Sequence, residues 1–278
     1  MWFYMEVAMR DKKIQACMSE SVKNVESAVE EIRFPDLDSG VSQDREWCEV
    51  VTKEGTRRIR FHDYEDVFSI PGLYEELFYN KLDCQSPFRV TDLLVDVVEE
   101  FDTDFSELNV LEIGAGNGVV GETLKACGVD SVVGVDILEE AKHAAERDRP
   151  GVYDDYLAVD LADITEPEEE QLRDRHFNCL VTVAALGFGD IPPYAFAKAL
   201  DLIEIGGWIA FNIKEDFVYQ TDQSGFAGLI KDLTRRQVVQ TQAYRRYQHR
   251  LSITGEPLFY IVYVTRKLRD IPDEILQS

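Results

Sequence analysis

Three features of this 278-residue chain predict an α/β fold: a doubly wound, mostly parallel seven-stranded sheet with a C-terminal antiparallel hairpin. Five short apolar runs alternate with stretches of helical periodicity, as parallel strands joined by crossover helices do. Two β-rich runs near the C-terminal end follow one another with no helix between them, so they pair antiparallel. A glycine-punctuated turn closes the first apolar run, where open sheets of this kind bind ligands. The expected division is a weakly structured N-terminal extension over residues 1–45, an aromatic cap or lid over 46–85, and the α/β domain over 86–270.

In chain order, Val22 to Ile32 reads as a short helix before the turn-rich run Pro35-Asp-Leu-Asp-Ser-Gly40. Residues 46–79 gather Phe61, Tyr64, Phe68, Tyr74, Phe78 and Tyr79 around Pro71-Gly72. Ser86 reads as the cap of a helix whose first position is Pro87. Val90, Leu93, Leu94, Val97, Val98 and Phe101 then recur at spacings of three and four. Strands are predicted at Val110–Ile113, Val132–Asp136, Tyr156–Asp160, Cys179–Ala184 and Trp208–Ile213, with helices near 118–127, 138–147, 168–174 and 192–204. The hairpin takes Gln237–Leu251, the turn Thr254-Gly-Glu-Pro257 and Leu258–Thr265.

Charge narrows the partners. Acids outnumber bases 53 to 29, for a formal net charge of −24. A sequence-independent grip on nucleic acid or anionic lipid needs the opposite sign, so neither is an expected partner. Nine of the basic residues cluster in 231–269, but strand alternation turns neighbours to opposite faces, which favours a solvated strand over one continuous basic patch. The five cysteines form no Cys-x-x-Cys pair and the four histidines are scattered, so a disulfide framework and a metal site are both unexpected. The apolar start Met1–Ala8 is interrupted by Glu6, unlike a signal peptide or a membrane span. A reducing cytoplasm is the expected compartment. The sequence gives no oligomeric state.

The most informative stretch is Val110-Leu-Glu-Ile-Gly-Ala-Gly-Asn-Gly-Val-Val-Gly121. Glycines here tolerate positive φ and admit a ligand close to the backbone. The helix that follows offers unpaired N–H groups and a positive dipole end. Two cofactor classes compete for it. Gly116-x-Gly118-x-x-Gly121, with Asp136 about 20 residues on, satisfies the dinucleotide fingerprint and hence an NAD-dependent oxidoreductase. The first glycine should follow the strand at once, however; that is Gly114, and the third position then falls on Val119. In the other frame an acid, Glu112, precedes Gly114, Gly116 and Gly118.

In that second frame Leu111-Glu-Ile-Gly-Ala-Gly-Asn-Gly118 resembles the first motif of class I S-adenosylmethionine-dependent methyltransferases, and the likeness extends over roughly Ser86 to Lys267. The resemblance implies S-adenosyl-L-methionine as cofactor, held around Glu112, Gly114, Ala115, Gly116 and Gly118. It also implies that Asp136, ending Val133-Gly-Val-Asp136, takes the ribose hydroxyls, for which a two-oxygen acceptor is suited. Ile137 would lie against adenine. Asp160 would accept from the adenine amino group, with Leu161 supplying a backbone N–H. Ala184 would stand beside the methionine part, and Leu202-Ile-Glu-Ile-Gly-Gly-Trp208 matches the turn into the fifth strand, with Ile205 where proline is usual. Segments 152–161 and 183–193 are further similar to methyltransferase-like proteins of the Williams–Beuren region type.

The implied reaction is methyl transfer to a small-molecule acceptor at O, N or S; a catalytically silent cofactor-binding module is the alternative. A sulfonium already activates its methyl group, so no catalytic residue is assigned. Ala184-Ala-Leu-Gly stands where a motif for planar amino acceptors would follow the fourth strand. By elimination, the acceptor pocket falls to the aromatic N-terminal region, the loop Gly187–Pro193 and the segment Lys214–Phe226. Within that region, residues 60–64 and 72–79 are the expected lid, with Tyr74 or Phe78 touching the cofactor. His62 is the histidine best placed for acid–base work.

Overall fold

The computed structural model describes residues 25–36, 42–218 and 224–276. It opens with a three-stranded antiparallel sheet: β1 (Val29–Arg33), β2 (Trp47–Thr52) and β3 (Gly55–Arg60). The helix expected over Val22–Ile32 is therefore corrected to a strand from Val29 onward; residues 1–24 and 37–41 lie outside the described residues. Val29 and Ile32 are three apart, as on a helix face. A bulge between Val29 and Glu31 shifts the register against β2, so that both residues meet one core. After β3 come α1 (Tyr64–Ser69) and a π-helical turn, Glu75–Lys81.

The second sheet has seven strands: β4 (Asn109–Ile113), β5 (Ser131–Asp136), β6 (Asp155–Ala158), β7 (Cys179–Thr182), β8 (Trp208–Lys214), β9 (Val239–Leu251) and β10 (Pro257–Lys267). Their order is β6-β5-β4-β7-β8-β10-β9. The first five are mutually parallel, and β10 runs antiparallel to both β8 and β9. The order reverses at β4, which places a crevice above the carboxyl ends of β4 and β7.

Alternation divides the core between two faces. Leu111, Ile113, Val133, Leu180, Ile209 and Phe211 pack with residues of α5 (Glu166–Arg173), α6 (Pro193–Asp201) and α7 (Phe226–Arg235). Val110, Val132, Val181, Ala210 and Val262 pack with residues of α2 (Ser86–Glu100) and α3 (Val119–Cys127). Helix α4 (Glu139–Asp148) buries its alanines against Phe68 and Tyr156, and a last turn, α8 (Asp273–Leu276), packs Ile275 into the first face.

Two details depart from expectation. Ser86 is the first residue of α2 and not its cap; its hydroxyl is drawn into a buried network described below. Helix α7 was not anticipated, although Phe226, Leu229, Ile230 and Leu233 recur at helical spacing. The basic residues of the hairpin are largely paired within the chain. Arg245 meets Asp92 and Asp96, Arg246 meets Glu215, and buried Arg250 meets Glu46. Among the described residues no helix is long and apolar enough to cross a membrane.

Candidate active site

Past Ile113 the chain turns through Gly114, Gly116 and Gly118, with φ of 66°, 52° and 90°. A Cβ on Gly114 would lie 2.6 Å from the Cβ of Ala185, so the position tolerates no side chain. The turn is tied to the neighbouring strand. Ala115 N–H donates to the Val135 carbonyl at 3.1 Å, and Gly116 N–H donates to Asp136 Oδ2 at 2.9 Å. The other oxygen of Asp136 accepts from Leu138 N–H at 3.1 Å. Each oxygen keeps a second lone pair, so the carboxylate at the tip of β5 remains able to accept from a ligand.

A cavity of about 720 Å³ opens above these strand ends, within the range of small-molecule sites. Eight of the ten residues singled out from the sequence line it: Gly114, Ala115, Gly116, Asp136, Ile137, Asp160, Leu161 and Ala184. Glu112 and Gly118 do not. Glu112 is buried behind the turn, accepting from Tyr153 OH at 3.1 Å, and Gly118 caps α3 in the left-handed conformation. Gly121, the third glycine of the dinucleotide reading, lies inside α3, where a Cβ would strike the Tyr153 ring at 2.7 Å. Close packing by Tyr153 accounts for that glycine.

The opposite wall comes from the N-terminal region. Tyr64, Phe68 and Tyr74 line the cavity as a stacked series, with ring centroids 5.8 and 5.3 Å apart, and Tyr79 joins them. Phe78 does not reach it; that residue is buried edge-on against Phe61, 5.9 Å away. From the loop after β7, Asp190, Ile191 and Pro192 line the same space, whereas no residue of 214–218 or 224–226 does. His62 Nδ1 stands 3.2 Å from Asp190 Oδ2 across the mouth.

Two buried networks missed by sequence reading hold the walls in place. Arg149 pairs with Glu75 and Glu122, each at 2.9 Å, and donates to the Asn117 carbonyl, while Asn117 Nδ2 donates to Glu75 at 2.6 Å. The π-helical turn is thereby locked to the glycine loop. Behind the end of β7, Ala184 N–H donates to Asn212 Oδ1 at 2.6 Å, and Asn212 Nδ2 donates to Ser86 Oγ and Tyr247 OH. Ser86 Oγ also meets His249 Nδ1 at 2.6 Å. A lone asparagine within the apolar run Trp208–Ile213 was the available signal.

Electrostatically the cavity is acidic. Asp63, Glu65, Asp66, Asp136, Asp160 and Asp190 line it, and among the described residues no lysine or arginine does. Burial raises the pKa of Asp136 above the ordinary carboxylate value, opposed by the backbone N–H groups that bond it. Burial raises Glu112 well above its usual range, with the Tyr153 hydroxyl partly countering. The Cys84 thiol on the cavity wall is pushed up to about 11 by burial, which leaves it un-ionised and a poor nucleophile.

A family model described as a methyltransferase domain matches residues 89–250, more than half of the chain; it names no subgroup. Among curated proteins, the ubiquinone biosynthesis O-methyltransferase of Nitrosomonas europaea is 24% identical over 143 residues, covering 50% of this chain and 59% of that enzyme. The chain thus matches less than two-thirds of that relative. Among solved structures, the N-methyltransferase NodS from Bradyrhizobium japonicum, in complex with S-adenosylhomocysteine, is 18% identical with a TM-score of 0.45, covering 65% of this chain and 86% of that one. The ribosomal protein L11 methylase from Lactobacillus delbrueckii is 17% identical with a TM-score of 0.43, covering 66% and 80%.

Proposed function

The chain belongs to the methyltransferase-domain family, and from that premise we propose that it is a class I S-adenosylmethionine-dependent methyltransferase that methylates a small, protic acceptor beneath the aromatic cap. The observation that carries this reading is convergence. Residues from β4, β5, and the ends of β6 and β7 line one cavity, which the N-terminal aromatics close from the other side. A glycine turn held at positive φ and an aspartate with spare lone pairs fit a nucleoside cofactor. Gly114, Ala115 and Gly116 hold its amino-acid end with Ala184; Asp136, Ile137, Asp160 and Leu161 take the adenosine. Glu112 and Gly118 shape the turn from behind.

When bound, the cofactor supplies an electrophilic methyl group. The chain's part is to hold the acceptor in line with that group and to keep water away, and near-attack geometry is worth up to ~7–11 kcal/mol. An acidic wall with no lysine or arginine among the described residues favours a neutral or cationic acceptor over a phosphate ester or nucleic acid. The O-methyltransferase relative adds support for a small molecule. Cys48, Cys84 and Cys179, buried as thiols, suit a reducing cytoplasm.

The test is S-adenosylhomocysteine release on incubation with S-adenosylmethionine and a protein-free metabolite extract, beside a fluorescence titration with NADH. Release with no NADH binding is expected. Cofactor binding with no release from any extract would favour the silent module, and saturable NADH binding would return the oxidoreductase.

A further inference from the structure

We propose that His62, positioned by Asp190, is the general base that removes the acceptor's proton during methyl transfer, a step that rests on the methyltransferase reading above. The two side chains are 128 residues apart in sequence yet meet inside the cavity, with Nδ1 of His62 3.2 Å from Oδ2 of Asp190. Both are partly buried, at 16% and 23% side-chain exposure, so their pairing is less screened than that of a fully exposed pair. The ring is further fixed by aromatic neighbours. Tyr64 stands edge-on at 5.7 Å, and Phe188, from the same loop as Asp190, lies at 5.1 Å.

This arrangement selects a tautomer. A carboxylate accepts only, so Nδ1 carries the hydrogen and Nε2 keeps its lone pair. No hydrogen bond occupies Nε2 among the described residues, and His62 is the one side chain on the cavity wall with an unprotonated nitrogen to offer. The Cys84 thiol, held un-ionised by burial, does not compete for the role. The carboxylates that interact with the imidazole come from two directions, Asp190 in the loop after β7 and Asp44 in the turn before β2, while Lys214 at the end of β8 lies over the Phe188 ring and pairs with Asp216. The Asp190 carboxylate, 3.2 Å from Nδ1, faces the imidazolium that forms.

The step balances as follows. A lone pair on the acceptor oxygen or nitrogen forms the new bond to the methyl carbon, and the S–C electrons return to sulfur. The acceptor's proton passes to His62 Nε2, and the resulting imidazolium, held by Asp190, loses its proton to water at the cavity mouth before the next turnover. An acceptor with no exchangeable proton has no use for this group, so the pair marks the substrate as a protic one. His62 is thus the catalytic residue and Asp190 a positioning residue.

The experiment uses the full chain labelled with ¹⁵N-histidine and saturated with S-adenosylhomocysteine. Long-range ¹H–¹⁵N spectra should show His62 protonated at Nδ1 and bare at Nε2, and Asp190→Asn should abolish that preference. In turnover with the protein-free extract, His62→Asn should lower the rate by about 10²-fold or more, while S-adenosylhomocysteine affinity stays within twofold. The acid limb of the pH–rate profile should vanish in His62→Asn, shift in Asp190→Asn and return towards wild type in Asp190→Glu. An Nε2-protonated His62, a His62→Asn variant keeping more than a third of the rate, or parallel loss of rate and affinity would each overturn the assignment. A wild-type chain that binds no S-adenosylhomocysteine would instead overturn the cofactor reading beneath it.

Discussion

The two walls of the cavity are made differently. The sheet-side wall is backbone and strand tips: Gly114, Ala115 and Gly116 after β4, Asp136 and Ile137 at β5, Asp160 and Leu161 just beyond β6. Each position follows from where a strand ends, which is a local property. The cap-side wall is side chains, the stacked rings of Tyr64, Phe68 and Tyr74 and the His62–Asp190 pair, placed by packing between distant segments. A common cofactor calls for the first kind of surface, and a particular acceptor for the second.

The sharpest way to break this division is to cut the buried link between the walls. Arg149→Met leaves Glu75 and Glu122 without their shared guanidinium. Breaking such a buried pair should cost about 3–5 kcal/mol in urea unfolding. Melting of the aromatic wall should accompany it, with the sheet's own amide protection retained. Uniform loss of protection would mean that the walls are one cooperative unit. Next in size is Gly114→Ala, which forces a side chain into φ of 66° and against Ala185. It should lose about 1–2 kcal/mol from the left-handed backbone alone, and at least tenfold in S-adenosylhomocysteine affinity by calorimetry; unchanged affinity would remove the loop from the site. Phe68→Leu tests the cap's share. Losing the stacked ring should weaken the same binding by about 0.5–1.5 kcal/mol with no change at the turn.

The smallest effect is a pH-dependent one. Because burial raises the Glu112 pKa in the folded chain, the native state holds that proton more tightly than the unfolded one. Its stabilising contribution is complete below the unfolded pKa and is lost as pH rises towards the folded value. Glu112→Gln cannot ionise, so its melting temperature should match wild type in acid and exceed it near neutrality, with cofactor affinity unchanged. Equal melting curves at every pH would contradict the raised pKa, and a tenfold loss of affinity would place the carboxyl at the cofactor.

Those contrasts also explain what could be read from the chain before its fold was known. The sheet, its hairpin and the sheet-side wall of the cavity announce themselves through alternation, glycine spacing and strand-end acids. The strand at Val29–Arg33 did not, because a bulge gives Val29 and Ile32 a helical spacing. The partnership of Arg149 with Glu75, and of Asn212 with Ser86 and Tyr247, has no local signature; each partner is an ordinary polar residue until folding buries it. Phe78, one of six aromatics between Phe61 and Tyr79, could not be told from Phe68 by type alone, yet it fills the cap's own core while Phe68 faces the cavity.

The central claim is that the tip of β5 binds the cofactor's ribose, and calorimetric titration of S-adenosylhomocysteine into wild type and Asp136→Ala tests it most directly. The account predicts one-to-one binding by wild type and a loss of at least about 2 kcal/mol in the variant, the scale of a charged acceptor's hydrogen bonds, with the fold intact by circular dichroism. Equal binding by the two proteins, or none by wild type, would contradict it.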